Sequence, residues 1–327
     1  MNSTPSHEAS ELNNRFWHEA IAIRGSATRI VLLRVLLFGA WSLTIWILNQ
    51  TVDVNIGVEI TMFEIAGGVL GAVLVLRTNT GYERWWEARK LWGSIINATR
   101  NIAITVAANV PDADPDAALA SRRRELRADF ARWTAALPHA MLQDLRDGRD
   151  PGPFEKLLGP GEAQAILEAE HMPDYVALRI GELLRDARDQ LGLDHFAFLA
   201  AENARTELIN HIGGCERIRN TPLPRAYRIK IRRFIVGFLF LLPFGLMPRL
   251  EWLTPFFVML VAYPLLELDE IGVQLQNPFD PRNLGALPLA GFCDMLERNV
   301  FELLCRDDAG SRLALPRHHD PLASLPT

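Results

Sequence analysis

The chain has 327 residues, 49% hydrophobic and 22% charged, with a formal net charge of −5. That length serves one large or two ordinary domains, and an acidic balance with no dominant basic patch excludes nucleic acid as the main partner. Three distant cysteines, Cys215, Cys293 and Cys305, show no CxxC spacing, which points to a reducing compartment and excludes a disulfide framework.

The averages look almost soluble, but the apolar residues collect near 30–76 and 234–268. Residues 1–28 are polar, mixed in charge and lack a signal-peptide pattern. Residues 1–14 read as disordered, and Arg15-Phe16-Trp17 with 21–23 reads as a short amphipathic segment along a membrane surface. Residues 30–48 are apolar except for Arg34, Ser42 and Thr44, and are long enough to span. Arg34 lies near one end, where it can snorkel or face a bundle interior.

Residues 49–76 contain no Lys or Arg, whereas Arg24, Arg29, Arg77, Arg84, Arg89 and Lys90 flank them. The positive-inside rule then places the 49–58 connection outside and both flanks in the cytoplasm. Residues 56–76 form a second predicted span that carries Glu59 and Glu64. Lipid exposure is costly for carboxylates, so both are expected to face water. The stretch from Ile65 to Ala103 has no Pro. As one helix its roughly 39 residues reach about 58 Å, longer than a hydrocarbon core of roughly 30 Å. It therefore starts in the membrane and ends well outside it. Trp85 and Trp86, set among charges just past the apolar half, suit a membrane border or a subunit contact.

Residues 77–228 read as a helical cytosolic block, with periodicity over 116–147, 161–170, 174–191 and 194–218 and a break at DGRDPGP (147–153). The RRRELR run at 122–127 reads as a solvated helix face. Lys230, Arg232 and Arg233 mark a second cytoplasmic border. The apolar runs 234–247 and 253–266 are about 14 residues each, with Pro248-Arg249-Leu250-Glu251 between them, and predict a hairpin of two short spans kinked at Pro243 and Pro264. Residues 267–308 return to an amphipathic pattern, and the tail 309–327 reads as flexible, with His318 and His319 as tail residues.

The fold class is therefore an all-α membrane protein. Its expected parts are a cytosolic N-terminal segment (1–29), two spans (30–76), a helical cytosolic domain (77–228), a hairpin in the membrane (229–268) and a C-terminal cytosolic segment with its tail (269–327). The expected localisation is the cell inner membrane, multi-pass, with both termini cytoplasmic.

Four stretches carry a family resemblance: Arg24-Gly25-Ser26; Arg84-Trp85-Trp86 with Glu-Ala-Arg-Lys; Gly214-Cys215-Glu216-Arg217-Ile218 leading to Thr221-Pro222-Leu223-Pro224 and Tyr227; and Asn277-Pro278-Phe279-Asp280. In order and spacing the chain resembles the bestrophins, specifically their prokaryotic homologues, over roughly 15–300. The resemblance implies a homopentameric channel for small monovalent ions, cation or chloride, with four membrane helices per subunit and a helical vestibule ending in a second constriction. It requires no cofactor.

Counted back from Arg84, the family's neck positions fall on Gly68, Ala72 and Leu76, which spacing of four places on one helical face. The family has bulky apolar residues here. Two of the three are almost bare in this chain, so the neck is wider or the helices pack closer. A plain helix-packing face is the other reading. Glu64, one turn outside Gly68, and Glu59 would ring the outer mouth and favour cations; alternatively Glu64 pairs with an arginine such as Arg34 of a neighbouring subunit. Arg77 would stand at the inner end of the neck, either meeting anions or paired with Glu83 or Glu87, of which pairing is favoured. The cytosolic constriction maps to Phe196, with Phe198 and Leu199 as alternatives, against an ordinary core Phe. Arg84, Trp85, Trp86, Asn277, Pro278 and Phe279 are assigned structural roles.

In animal members an acidic run after the Asn-Pro-Phe turn binds calcium. Here only Asp280 is acidic, too few oxygens for the six to eight or so that calcium takes. No metal site is expected. The histidines His18, His139, His171, His195 and His211 are scattered, and no hydrolase, metalloprotease, P-loop or dinucleotide motif appears, so the chain does not read as an enzyme. A membrane transporter remains the alternative, although no internal repeat supports it.

Overall fold

The computed structural model describes residues 28–52, 57–110, 116–283 and 285–305, and every regular element among them is a helix. The proposed Arg24-Gly25-Ser26 motif, the amphipathic segment over 15–23, residues 53–56 of the 49–58 connection and the tail beyond 305 lie outside the described residues.

Helix α1 (Thr28–Val52) is followed by α2 (Thr61–Asn109), an unbroken helix of 49 residues. At about 1.5 Å per residue it is roughly 73 Å long, starting four residues earlier and ending six later than the proline-free stretch predicts. Its buried positions Leu70, Leu74, Arg77, Gly81, Ala88, Trp92, Ile95, Thr99, Ile102 and Val106 form one seam along the whole rod. Steps of three and four keep a single face turned inward.

The polar block folds as α3 (Ala117–Leu145), α4 (Gly152–Leu158), α5 (Pro160–Glu168), α6 (Met172–Leu191) and α7 (His195–Asn220). Asp116, His171 and Asp194 cap α3, α6 and α7 by accepting from backbone N–H groups of the first turn. The predicted break at 147–153 is shorter than expected: Pro151 and Gly152-Pro153 open α4, because proline suits the first turn of a helix. In the hairpin, α8 (Arg225–Leu250) and α9 (Thr254–Gln274) run well past the apolar stretches that predicted them. Pro248, Arg249 and Leu250 stay helical, and the reversal falls on a single 3-10 turn, Glu251–Leu253, with Glu251 at φ 46°. Helix α10 (Leu289–Leu304) ends the described chain.

Two hydrophobic cores result among the described residues. One joins α1, α8 and α9 to Leu70 and Leu74 of α2. The other joins the distal half of α2 to α3–α7 and takes in Phe279, Leu287, Leu289, Cys293, Val300 and Leu304. The segment after the hairpin thus returns to pack on α3 within the distal core. In the first core the outer sides of the helices stay apolar: Leu32, Leu33, Leu36 and Leu37 of α1, and Phe240, Leu241, Phe256 and Leu260 of the hairpin, are exposed. Among the described residues two helices are long and apolar enough to cross a membrane, α1 over Ile30–Thr51 and α2, and only 28% and 17% of their apolar windows are buried in the chain. Such bare surface requires lipid or neighbouring subunits.

Candidate functional site

Opposite the buried seam, α2 carries a face that no other described part of the chain covers. Thr61, Glu64, Ile65, Gly68, Ala72, Val75, Leu76, Asn79, Tyr82, Glu83 and Trp86 are exposed along it. Gly68, Ala72 and Leu76, the three predicted neck positions, all lie on this face. A Cβ added at Gly68 or Gly71 would meet nothing within 4 Å. Val75, which a spacing of four steps over, is 62% exposed beside 64% for Leu76; counting in fours from Arg84 misses it, whereas the period of the buried seam finds it.

Glu59, just before the same helix, and Glu64 in its first turn are exposed, and Thr61 donates to Glu59 at 3.3 Å. Arg34 is not at their level. It pairs with Glu270 of α9 at 3.1 Å, close to Arg77, which lies 13 residues or roughly 20 Å along α2 from Glu64.

Arg77 departs most from expectation. Its side chain is 1% exposed and pairs with Asp269 of α9, not with Glu83 or Glu87, and it does not share the open face. Glu83 accepts from Asn79 instead, and Glu87 from Arg217. The second oxygen of Asp269 accepts from Arg232 of α8 at 3.0 Å. Gly81 and Gly272 allow this burial: a Cβ on Gly81 would lie 3.3 Å from the carbonyl of Gly272 and 3.1 Å from Cβ of Leu275, so α2 and α9 cross at close range. Together with Arg34–Glu270, these pairs tie all four helices of the apolar bundle at one level. The sequence signal was three carboxylates, Glu267, Asp269 and Glu270, inside an otherwise apolar helix, which demand partners.

Below this level Arg84 works as a shared C-terminal cap. It donates to the carbonyls of Ile218 (2.5 Å) and Thr221 (3.0 Å) at the end of α7 and to Gln276 (3.3 Å) after α9. A cation there satisfies orphan carbonyls and opposes the helix dipoles. Trp85 donates to Gly285 O at 2.7 Å, while Trp86 stays half exposed and stacks on Trp85. The Asn277-Pro278-Phe279 turn closes on itself: Asn277 Oδ1 accepts from Phe279 N, Leu287 N donates to Pro278 O, and Phe279 is fully buried.

Helix α7 runs antiparallel to α2, with Ile218 beside Arg84, Arg217 beside Glu87 and Gly214 against Leu91. Phe196, at the far end of α7, is therefore about 33 Å from Arg84 and roughly 45 Å from Leu76. Phe196 is 82% exposed and Leu199 56%. Phe198 is not a free ring: the Arg188 guanidinium lies 4.6 Å over it. Between Phe196 and Arg217 the exposed stripe of α7 is mostly polar: Asn203, Thr206, Glu207, Asn210 and Gly213.

These features define a class: a helical membrane protein whose long second helix leaves one face open from a thin apolar bundle down to a polar helical body. Residues 8–302 match the family model described as bacterial/fungal bestrophin protein, and the chain belongs to that family. It is 30% identical over 309 residues to a Nostoc protein named voltage-dependent anion channel-forming protein, covering 94% of this chain and 95% of the other. It is 32% identical over 300 residues to a protein of the same name from Ralstonia nicotianae, covering 90% and 94%. The crystal structure of a bacterial bestrophin homologue from Klebsiella pneumoniae superposes with a TM-score of 0.74 at 25% identity, over 84% of this chain and 98% of the other.

Proposed function

We propose that five copies of this chain assemble with the open faces of α2 turned to a common axis, forming a bestrophin-like ion channel for small monovalent ions. The observation that carries this reading is the uncovered stripe of α2. It continues from Glu64 to Trp86 with no covering element among the described residues, yet holds two residues, Gly68 and Ala72, that leave almost no side chain in the way. The family and the channel names of its curated relatives support the same reading.

In this arrangement Gly68, Ala72 and Val75 with Leu76 line the neck, and the aliphatic pair forms its apolar ring. Hydrophobic rings gate by dewetting, and bare positions wet more easily. Glu64 and Glu59 form acidic rings at the outer mouth, which concentrate cations and repel anions. Phe196, with Leu199 beside it, forms the cytosolic constriction. The protein lies in the cell inner membrane with both termini cytoplasmic, consistent with the arginines gathered at one level of the bundle. Asp280, at the position matching the calcium-binding run of animal members, has both carboxylate oxygens taken by a two-pronged contact from Arg282, so calcium does not gate the channel through this turn.

Planar-bilayer recording of the purified assembly in asymmetric NaCl tests this. Discrete currents that persist in a calcium chelator are expected. A monomeric protein, or one whose axis is lined by another segment, overturns the reading.

A further inference from the structure

Histidines scattered along the chain need not be scattered in space. Asp144 near the end of α3, His171 at the cap of α6 and Glu216 on α7 each present one ligand atom, and these atoms lie within 4.8 Å of one another. We propose that Asp144, His171 and Glu216 form a binding site for a divalent first-row transition metal ion, of which Zn²⁺ is the probe, clamping α3, α6 and α7 together. The sequence alone predicts no metal site, and this proposal departs from that expectation.

The donor set selects the ion. One imidazole nitrogen with two carboxylate oxygens suits borderline ions such as zinc, whereas calcium needs more oxygens and avoids nitrogen. Three protein ligands leave a coordination position for water. His171 Nε2 and Glu216 Oε1 are 2.7 Å apart, so the ion takes the place of the proton now shared between them, and their separation opens by roughly 0.6 Å to suit tetrahedral zinc. The outer shell is also present. Nδ1 of His171 accepts from the Asp174 N–H while the proton sits between Nε2 and Glu216. When Nε2 binds the ion, Nδ1 carries the ring proton instead and donates it to Asp174 Oδ2, 3.1 Å away.

One cation already stands nearby. Arg219 donates to the main-chain carbonyl of Asp144 at 2.9 Å and pairs with Asp147, but is 4.0 Å from Asp144 Oδ2. It supports the loop and reaches that carboxylate oxygen only as a long ion pair, without a hydrogen bond, which an incoming metal ion displaces. All three ligand side chains are partly exposed, at 18%, 32% and 27%, so an ion has an entry path. Glu216 sits on the helix whose C-terminal end Arg84 caps and whose start carries Phe196. An ion at this place therefore acts on the mounting of α7, independently of how the pore is lined.

The test uses the full-length protein, stripped with a chelator and exchanged into metal-free buffer. After incubation with Zn²⁺ and desalting, elemental analysis should find one tightly held ion per subunit. Co²⁺ should give the visible bands of a four- or five-coordinate site. Glu216→Gln and Asp144→Asn should each weaken Zn²⁺ binding at least tenfold while the assembly elutes unchanged. Asp174→Asn, a change at an exposed second-layer group, should weaken it roughly 10- to 100-fold and serves if a ligand variant fails to assemble. Wild-type protein that retains no more Zn²⁺ than Glu216→Gln, or equal affinity in wild type and Asp174→Asn, overturns the proposal and leaves a hydrogen-bonded His–carboxylate tie. Channel recordings are not needed, so failure here is separate from failure of the pore reading.

Discussion

Arg77 and Asp269, 192 residues apart in the chain, form a fully buried ion pair between α2 and α9, one residue past the open face of α2. The pair places a charge within the helix that carries the proposed neck yet keeps it out of the lumen. Removing one partner of a buried pair leaves the other uncompensated, at a cost of about 3–5 kcal/mol. Asp269→Ala should therefore sharply lower the melting temperature of the detergent-purified protein. Arg232→Ala, at a side chain 45% exposed, should cost at most about 1 kcal/mol. Equal losses from the two substitutions would show that Asp269 does not depend on its buried partner.

Gly68 and Leu76 should respond in opposite directions. Gly68 has room for a side chain, so Gly68→Ile should assemble normally, helped slightly by the better helix propensity. In the proposed pore it adds five bulky groups to the neck, and current should fall at least tenfold. Leu76→Ala removes an apolar ring and should raise single-channel conductance. Unchanged conductance in both variants argues that α2 does not line the lumen.

Glu64 gives a selectivity test. Neutralising it with Glu64→Gln should shift the reversal potential in a salt gradient toward the anion side, with the cation-to-anion permeability ratio falling severalfold and the effect shrinking at high ionic strength. No shift would remove the acidic ring from the account.

Glu297 provides the acid limb of stability. Hydrogen bonding from His139, and then from Lys156, holds its carboxyl down at about 2 against an ordinary 4.5. A depressed carboxylate stabilises the fold above its unfolded value and loses that contribution as pH falls from 4.5 toward 2. The contribution is up to roughly 3 kcal/mol. Wild-type protein should lose stability across that window, and Glu297→Gln should be less stable at neutral pH with a flatter acid profile. Parallel profiles for the two would rule out this role.

Thiol labelling separates the cysteines. Burial pushes the Cys215 and Cys293 thiols up to about 12, so at neutral pH neither offers a thiolate. Cys305 is partly exposed. A Cys305→Ser variant should take up no maleimide within minutes in the native state and two equivalents per subunit once denatured. Fast native labelling would mean that the distal core around α7 or α10 opens readily.

Much of the architecture is written in local pattern. Proline-free length predicts the long α2, apolar runs predict α1 and the hairpin, and polar periodicity predicts α3, α5, α6 and α7, because the 3.6-residue period and the length of an apolar run are local properties. Spacing also places Gly68, Ala72 and Leu76 on one side of a helix. Whether that side is left bare depends on which helices cover the other side, and the chain shows this only when folded.

Charge partnership was the least legible part. Nothing near Arg77 in sequence points to Asp269. Two glycines, Gly81 and Gly272, bring α2 and α9 close enough for a buried pair, and contacts across 192 residues follow from that crossing. Likewise Asp144, His171 and Glu216 meet only because α3, α6 and α7 converge. The sequence alone determined which segments are helical and which of them tolerate lipid, since backbone hydrogen bonding and hydropathy act residue by residue. Tertiary packing decided which charges are neutralised and which face remains open, because those depend on distances that a linear order does not contain.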